Sequence, residues 1–110
     1  MSISTKSAWA SESPLEFTEG EQPVFTFTVP GVTTITDDAT LVTKVYKNGS
    51  YDAALSTGSM VVSGNSVTAQ KVTGMTGPNN YVVDVWGTAD NVYRLLVSIE
   101  LKCRKAGSGM

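Results

Sequence analysis

The sequence predicts an all-β domain, an antiparallel sandwich, and three observations carry that expectation. Fourteen threonines and fourteen valines stand among the 110 residues, and β-branched side chains suit a pleated, half-buried surface better than a helix. Apolar and polar residues alternate with a period of two from residue 15 to residue 103, in runs bounded by Gly, Asn, Asp and Pro. No segment shows the spacing of a buried helical stripe. A chain of this length builds one core, so one domain is expected at 15–103, with residues 1–14 as an N-terminal arm and 104–110 as a C-terminal tail.

Leu15 and Phe17 suggest a short first strand, and Glu19-Gly20-Glu21-Gln22-Pro23 a turn. Val24–Val29 then alternates, putting Phe25, Phe27 and Val29 on a core face and threonines on the other until Pro30-Gly31 ends it. Thr40–Tyr46 reads as the third strand. It is closed by Asn48-Gly49, the pair that best tolerates the positive φ of a type I′ hairpin turn. Ser63-Gly64-Asn65 joins Met60–Val62 to Ser66–Val72 in the same way. Tyr81–Trp86 and Val92–Leu101 are the last two strands, linked by Gly87–Asn91. Along the final strand Tyr93, Leu95, Val97, Ile99 and Leu101 are expected on one face and Arg94, Ser98, Glu100 and Lys102 on the other. About seven short strands of this kind point to an immunoglobulin-like antiparallel β-sandwich with extended N- and C-terminal arms. Tyr81 opens the penultimate strand, where a tyrosine corner would bond back to upstream backbone. The disulfide of antibody-type domains is missing, since Cys103 is the only cysteine.

Composition bears on function mainly by exclusion. There is no histidine, which removes the usual nucleophilic triads, zincin-type metal sites and imidazole general bases. Eight basic residues against ten acidic give a net charge of −2, whereas duplex-binding modules concentrate Lys and Arg on one face, so nucleic acid is not an expected partner. The one basic cluster, Lys102, Arg104 and Lys105, reads as a solvated strand end. A fold without disulfides suits assembly in a reducing cytoplasm. The sequence offers neither a signal-peptide core near its start nor a run of roughly 18 apolar residues, so no membrane partner is expected. Asn48-Gly49-Ser50 matches the glycosylation tripeptide but is more simply a turn.

The remaining chemistry is sparse, and no catalytic, cofactor or metal residue is expected. Asp84 and Asp90 are the best carboxylate pair for glycosidase work, and Asp37-Asp38 the best start for a calcium site, although each reads first as loop or strand-end polarity. Cys103 is expected as a small buried hydrophobe with nothing to activate it. Trp86 shares a face with Val82 and Asp84, opposite Tyr81, Val83 and Val85, so one of these faces holds apolar groups outside the main core. Trp86 with Asp37 and Asn91 is therefore a candidate exposed recognition group. Ile3 and Trp9 are apolar anchors in a polar arm, and with Cys103, Arg104 and Lys105 at the other end they are candidate assembly contacts.

The stretch Glu19–Val29, the strand ending Val45-Tyr46-Lys47-Asn48-Gly49, and the segment Gly77-Pro78-Asn79-Asn80-Tyr81-Val82-Val83-Asp84-Val85 together resemble small immunoglobulin-like virion proteins of tailed bacteriophages. They look like capsid-decoration domains and tail or baseplate adaptor domains, the baseplate-upper-protein N-terminal group in particular. The resemblance spans roughly residues 15–103 and consists of turn and strand grammar. It implies a non-enzymatic virion structural protein, assembled in the host cytoplasm as a homo-oligomer or in many copies, whose partners are a major capsid protein or tail proteins. Compared with the family pattern, the loops are shorter and less charged, which favours decoration over a tail role. The reading from another class is a glycan- or host-surface-binding adhesion module built around Trp86.

Overall fold

The structure, a computed structural model, describes residues 15–105. In chain order the strands are β1 (Leu15–Thr18), β2 (Thr26–Thr28), β3 (Val42–Lys47), β4 (Ser50–Tyr51), β5 (Ser56–Thr57), β6 (Val61–Ser63), β7 (Ser66–Thr68), β8 (Lys71–Val72), β9 (Asn79–Ala89) and β10 (Val92–Arg104). A five-stranded sheet runs β1-β10-β9-β3-β4, a three-stranded sheet runs β2-β7-β6, and β5 pairs with β8. The domain is an all-β sandwich. Every pairing is antiparallel except β1 with β10, which is parallel and sets Leu15 beside Leu101 and Phe17 beside Cys103.

Each of the seven apolar runs contains a strand, but some are subdivided. The run from Ser66 to Val72 splits into β7, which stays in the three-stranded sheet, and β8, which leaves it to pair with β5. Asn48 and Gly49 take φ values of 49° and 90°, as the expected hairpin turn between β3 and β4 requires. Asn48 also ties that turn to β9, donating through Nδ2 to Asn79 Oδ1 at 2.9 Å and accepting from Asn80 N at 3.0 Å. The turn reading of this tripeptide accounts for its geometry.

The core lies between the sheets. Phe25, Phe27 and Val67 from one side meet Val45, Val83 and Val97 from the other, all at most 3% exposed. Full burial of side chains of this size contributes about 1.5–3 kcal/mol each. Phe17 on the edge strand closes one end against Phe25, edge to face at 6.1 Å. The tyrosine corner is present: Tyr81 is 1% exposed, and its hydroxyl accepts from Thr76 N at 2.9 Å and donates to Thr76 O at 3.2 Å. Just upstream, Gly77 is held by close approach, because a Cβ there would overlap the backbone of Arg104 and Lys105.

Two departures from the sequence reading matter for function. The segment Gly87–Asn91 is not a loop: β9 runs on to Ala89 and turns in two residues, Asp90 and Asn91, both with positive φ (47° and 69°). Gly87 sits within this hairpin at a close approach: a Cβ would come within 2.9 Å of Leu41 Cδ1 and 3.1 Å of Leu96 Cδ1. The second departure is a β-bulge in β10. Leu95 pairs with Trp86 and Val97 with Val85, so Leu96 is an extra residue. Leu96 turns into the core, fully buried, and the strand's phase flips. Val97, Ile99 and Leu101 face inward as expected, whereas Tyr93 and Leu95 emerge on the outer face beside Trp86. Strict period-two counting fails there because two residues oppose one.

Candidate functional site

The outer face of the five-stranded sheet is where the side chains without a structural task collect. Register places them in rows across the strands: Val42, Trp86 and Leu95 in one; Lys44, Asp84 and Ser98 in the next; Tyr46, Val82 and Glu100 in the third. Each of these rows comes from the residues that alternate with buried Leu41, Thr43, Val45, Tyr81, Val83 and Val85, so the same pleat that fills the core sends them outward. Tyr51 joins opposite Tyr46, with the two rings 5.7 Å apart.

At one end the Trp86 ring stacks on Tyr93, with centroids 5.7 Å apart and planes 19° from parallel. Trp86 is half-buried, while Tyr93 is 57% exposed and offers a free ring face to solvent. Between the aromatic ends lies the charged row. Asp84 accepts from Ser98 Oγ at 2.6 Å, and Lys44 Nζ sits 5.7 Å over the Tyr51 ring. Val42, Val82 and Leu95 are half-buried yet lie outside the core cluster. Apart from Tyr81, every tyrosine in the chain and Trp86 stand on this face.

The hairpin tip next to that face is rigidly mounted. The Asp90 carboxylate accepts from Thr33 N at 3.0 Å and Thr34 N at 2.9 Å, and these two bonds hold its pKa below the usual 3.8. Asp90 N returns a bond to Thr34 O, and Thr36 N donates to Thr88 O, both at 2.9 Å. Asp38 serves its own turn, accepting from Thr40 N at 2.9 Å and Thr40 Oγ1 at 2.5 Å, and its pKa is lowered by them.

The sequence candidates fall out differently. Ile3 and Trp9 lie outside the described residues. Cys103 is 1% exposed and faces inward, and burial with the nearby carboxylates of Glu19 and Glu21 pushes its thiol pKa up. It is the small buried apolar residue expected, and Arg104 and Lys105 beside it are exposed. Asn91 is exposed as the second residue of the tip turn, and Asp37 is exposed on the rim of a cleft of about 450 Å3 with Leu41, Lys44, Tyr51, Met60 and Gln70. Trp86, Asp37 and Asn91 thus share one end of the sandwich, with Thr36 bonded to the hairpin between them.

Asp84 and Asp90 do not make the carboxylate pair. Six residues of extended chain separate them by roughly 20 Å, about twice the wider glycosidase spacing, and each is engaged by protein donors. Among the described residues no three His, Cys, Asp or Glu side chains gather as a metal group. Sequence reasoning missed Tyr46, Tyr51, Tyr93 and Leu95 as members of the face. Tyr46 was legible, since it alternates with Val45, but Tyr93 and Leu95 were hidden by the bulge.

Comparison of the chain with protein-family models, with curated proteins and with solved structures finds no match.

Proposed function

We propose that this chain is a non-enzymatic structural protein of a tailed-bacteriophage particle, a capsid decoration or cement protein acting through protein–protein contacts, with a tail or baseplate adaptor as the near variant. The observation that carries a contact role is the outer face of the five-stranded sheet: Tyr46, Tyr51, Trp86 and Tyr93 on a rigid, antiparallel platform. Tyrosine and tryptophan bring large contact area at small entropic cost, and they are enriched where proteins bind proteins. The phage assignment rests on the turn and strand resemblance. It is supported by a strand order that suits an immunoglobulin-like sandwich, with β9 and β10 beside β3 in one sheet, β2, β7 and β6 in the other, and a tyrosine corner opening β9. In this reading the partners are the major capsid protein or tail proteins, many copies are present, and symmetry lets modest contacts add up.

The test is co-sedimentation of the purified protein with phage particles that lack it. Sedimentation with heads is the expected result. Sedimentation with tails alone moves the chain to the adaptor variant, and sedimentation with neither removes the virion reading.

One observation favours a second reading, a glycan- or host-surface-binding adhesion module. The Trp86–Tyr93 stack stands at the same end as exposed Asp37 and Asn91, an aromatic surface rimmed by polar groups of the kind that sugars stack on. Glycan-array binding that disappears in Trp86→Ala is the result this reading requires.

A further inference from the structure

The outer face of the five-stranded sheet has a symmetry that narrows its occupant. A surface that meets its own copy across a two-fold axis must be complementary to itself, so a patch of one sign excludes itself. The central row of this face holds one charge of each sign, Lys44 on β3 and Asp84 on β9, in direct register. The rows on either side are apolar or aromatic on both strands: Val42 beside Trp86, and Tyr46 beside Val82.

We propose that the occupant is a second copy of this chain, packed sheet against sheet about a two-fold axis that runs along the strands between β3 and β9. Such an axis exchanges β3 with β9 and keeps each row at its own height. Lys44 then lies over the partner's Asp84, Val42 over the partner's Trp86, and Tyr46 over the partner's Val82. Opposite charges meet twice, and no like pair meets in the three rows. Facing sheets sit about 10 Å apart and rotate by about 30° to accommodate their twist. Rotation about the middle of the face leaves the Lys44–Asp84 row matched, since that row is central.

The remaining geometry agrees. Asp84 engages Ser98 through Oδ1, which leaves its second oxygen for the incoming ammonium. Lys44 rests on the Tyr51 ring, a contact that positions the cation over the face. The stretch of β10 that precedes its pairing with β1 is the poorer route to self-association, because the bulge at Leu96 interrupts the ladder that an added strand would follow. This inference stands apart from the phage reading: a chain that self-associates and joins no particle keeps the one and loses the other.

The experiment is sedimentation equilibrium of the full chain over a concentration series, with a charge-swap cycle. The unaltered chain is expected to form dimers. Lys44→Glu sets like charges over one another twice and weakens the dimer by about tenfold or more, and Asp84→Lys does the same. The double variant Lys44→Glu/Asp84→Lys restores the opposite-sign pairing and the affinity. Thermal unfolding of each variant, recorded in parallel, separates lost association from lost folding. A chain that stays monomeric at the highest concentration overturns the proposal, as does a dimer indifferent to the single swaps. A monomer that dimerises only after residues 1–12 are deleted also overturns it, since the chain's own arm would then be the occupant.

Discussion

The two outer faces of this sandwich are made from the same residue grammar and come out opposite in character. On the three-stranded sheet the outward positions are threonine and serine apart from exposed Val61 on β6, and the hydroxyls of β2 and β7 bond to one another across the strands: Thr26 to Thr68 at 3.0 Å, and Thr28 to Ser66 at 2.9 Å. Those hydroxyls are engaged laterally and present a polar coat. On the five-stranded sheet the outward positions are aromatic, aliphatic and charged, and β3, β9 and β10 are held from beneath and from their ends. The corner at Tyr81 and the clamp at Asp90 do that work. The difference teaches that anchoring is concentrated on the buried side and at the turns of this pleat, while its outer side carries the proposed contact surface. A sheet secured on its buried side and at its turns leaves its outer side chains free to meet something else.

If that division holds, the largest effect on the five-stranded sheet comes from a residue that never reaches its outer face. Tyr81→Phe keeps the ring in the core and removes two bonds to Thr76. The expected loss is about 1–1.5 kcal/mol, a fall in melting temperature of roughly 5–10 °C for a domain of this size. Association through the outer face should be unaffected below the new midpoint. Thermal unfolding followed by circular dichroism, with sedimentation of the same sample, checks both halves. A Tyr81→Phe protein of unchanged stability would remove the corner from the account of how β9 is fixed.

The Asp90 clamp gives a smaller, pH-dependent effect. Its folded pKa is depressed, so its contribution is fully present above the usual 3.8 and is lost as the pH falls through the lower folded value. Thr33 and Thr34 amides should therefore be well protected, relative to their intrinsic exchange rates, at neutral pH and lose that protection below that value. Asp90→Asn should show the low protection at every pH, since it lacks the charged carboxylate that holds both amides. The loss should stay local to the hairpin tip and the segment bonded to it, read by hydrogen exchange residue by residue. Protection that is independent of pH in the unaltered protein would mean the carboxylate is not the clamp.

These elements also mark how far the sequence was readable. The sandwich, the core faces of β2, β3 and β9, the Asn48-Gly49 turn and the Tyr81 corner all follow from period-two alternation and turn chemistry, which are local and survive into the fold. Two features were not local. The bulge depends on Leu96 rather than Leu95 taking the core position, where its side chain lies with that of Leu41 against Gly87, and Leu41 is far away in sequence. The tip turn at Asp90-Asn91 is a sound type I′ pair, yet Gly87 just before it reads as a loop signal and masked the strand's continuation. The candidate face needed both: without the bulge Tyr93 points inward, and without the extended hairpin there is no neighbour at Thr88 to pair it. The sequence showed that Trp86 needed an explanation but could not supply its stacking partner.

The smallest expected effect is the sharpest check on the comparison, because it asks the other face to do nothing. Thr26→Val with Thr68→Val replaces a lateral hydroxyl pair by two β-branched side chains of nearly the same shape. Removing both partners together leaves neither hydroxyl unsatisfied, so the cost of a broken bond is avoided, and valine suits a strand at least as well as threonine. Stability should move by no more than about 0.5 kcal/mol, and neither the oligomeric state nor particle binding should change. Denaturant unfolding and sedimentation equilibrium read the two quantities. If this double variant lost particle binding while Lys44→Glu kept it, the roles assigned to the faces would be reversed, with the hydroxyl ladder as the recognition surface and the aromatic rows as an inert one.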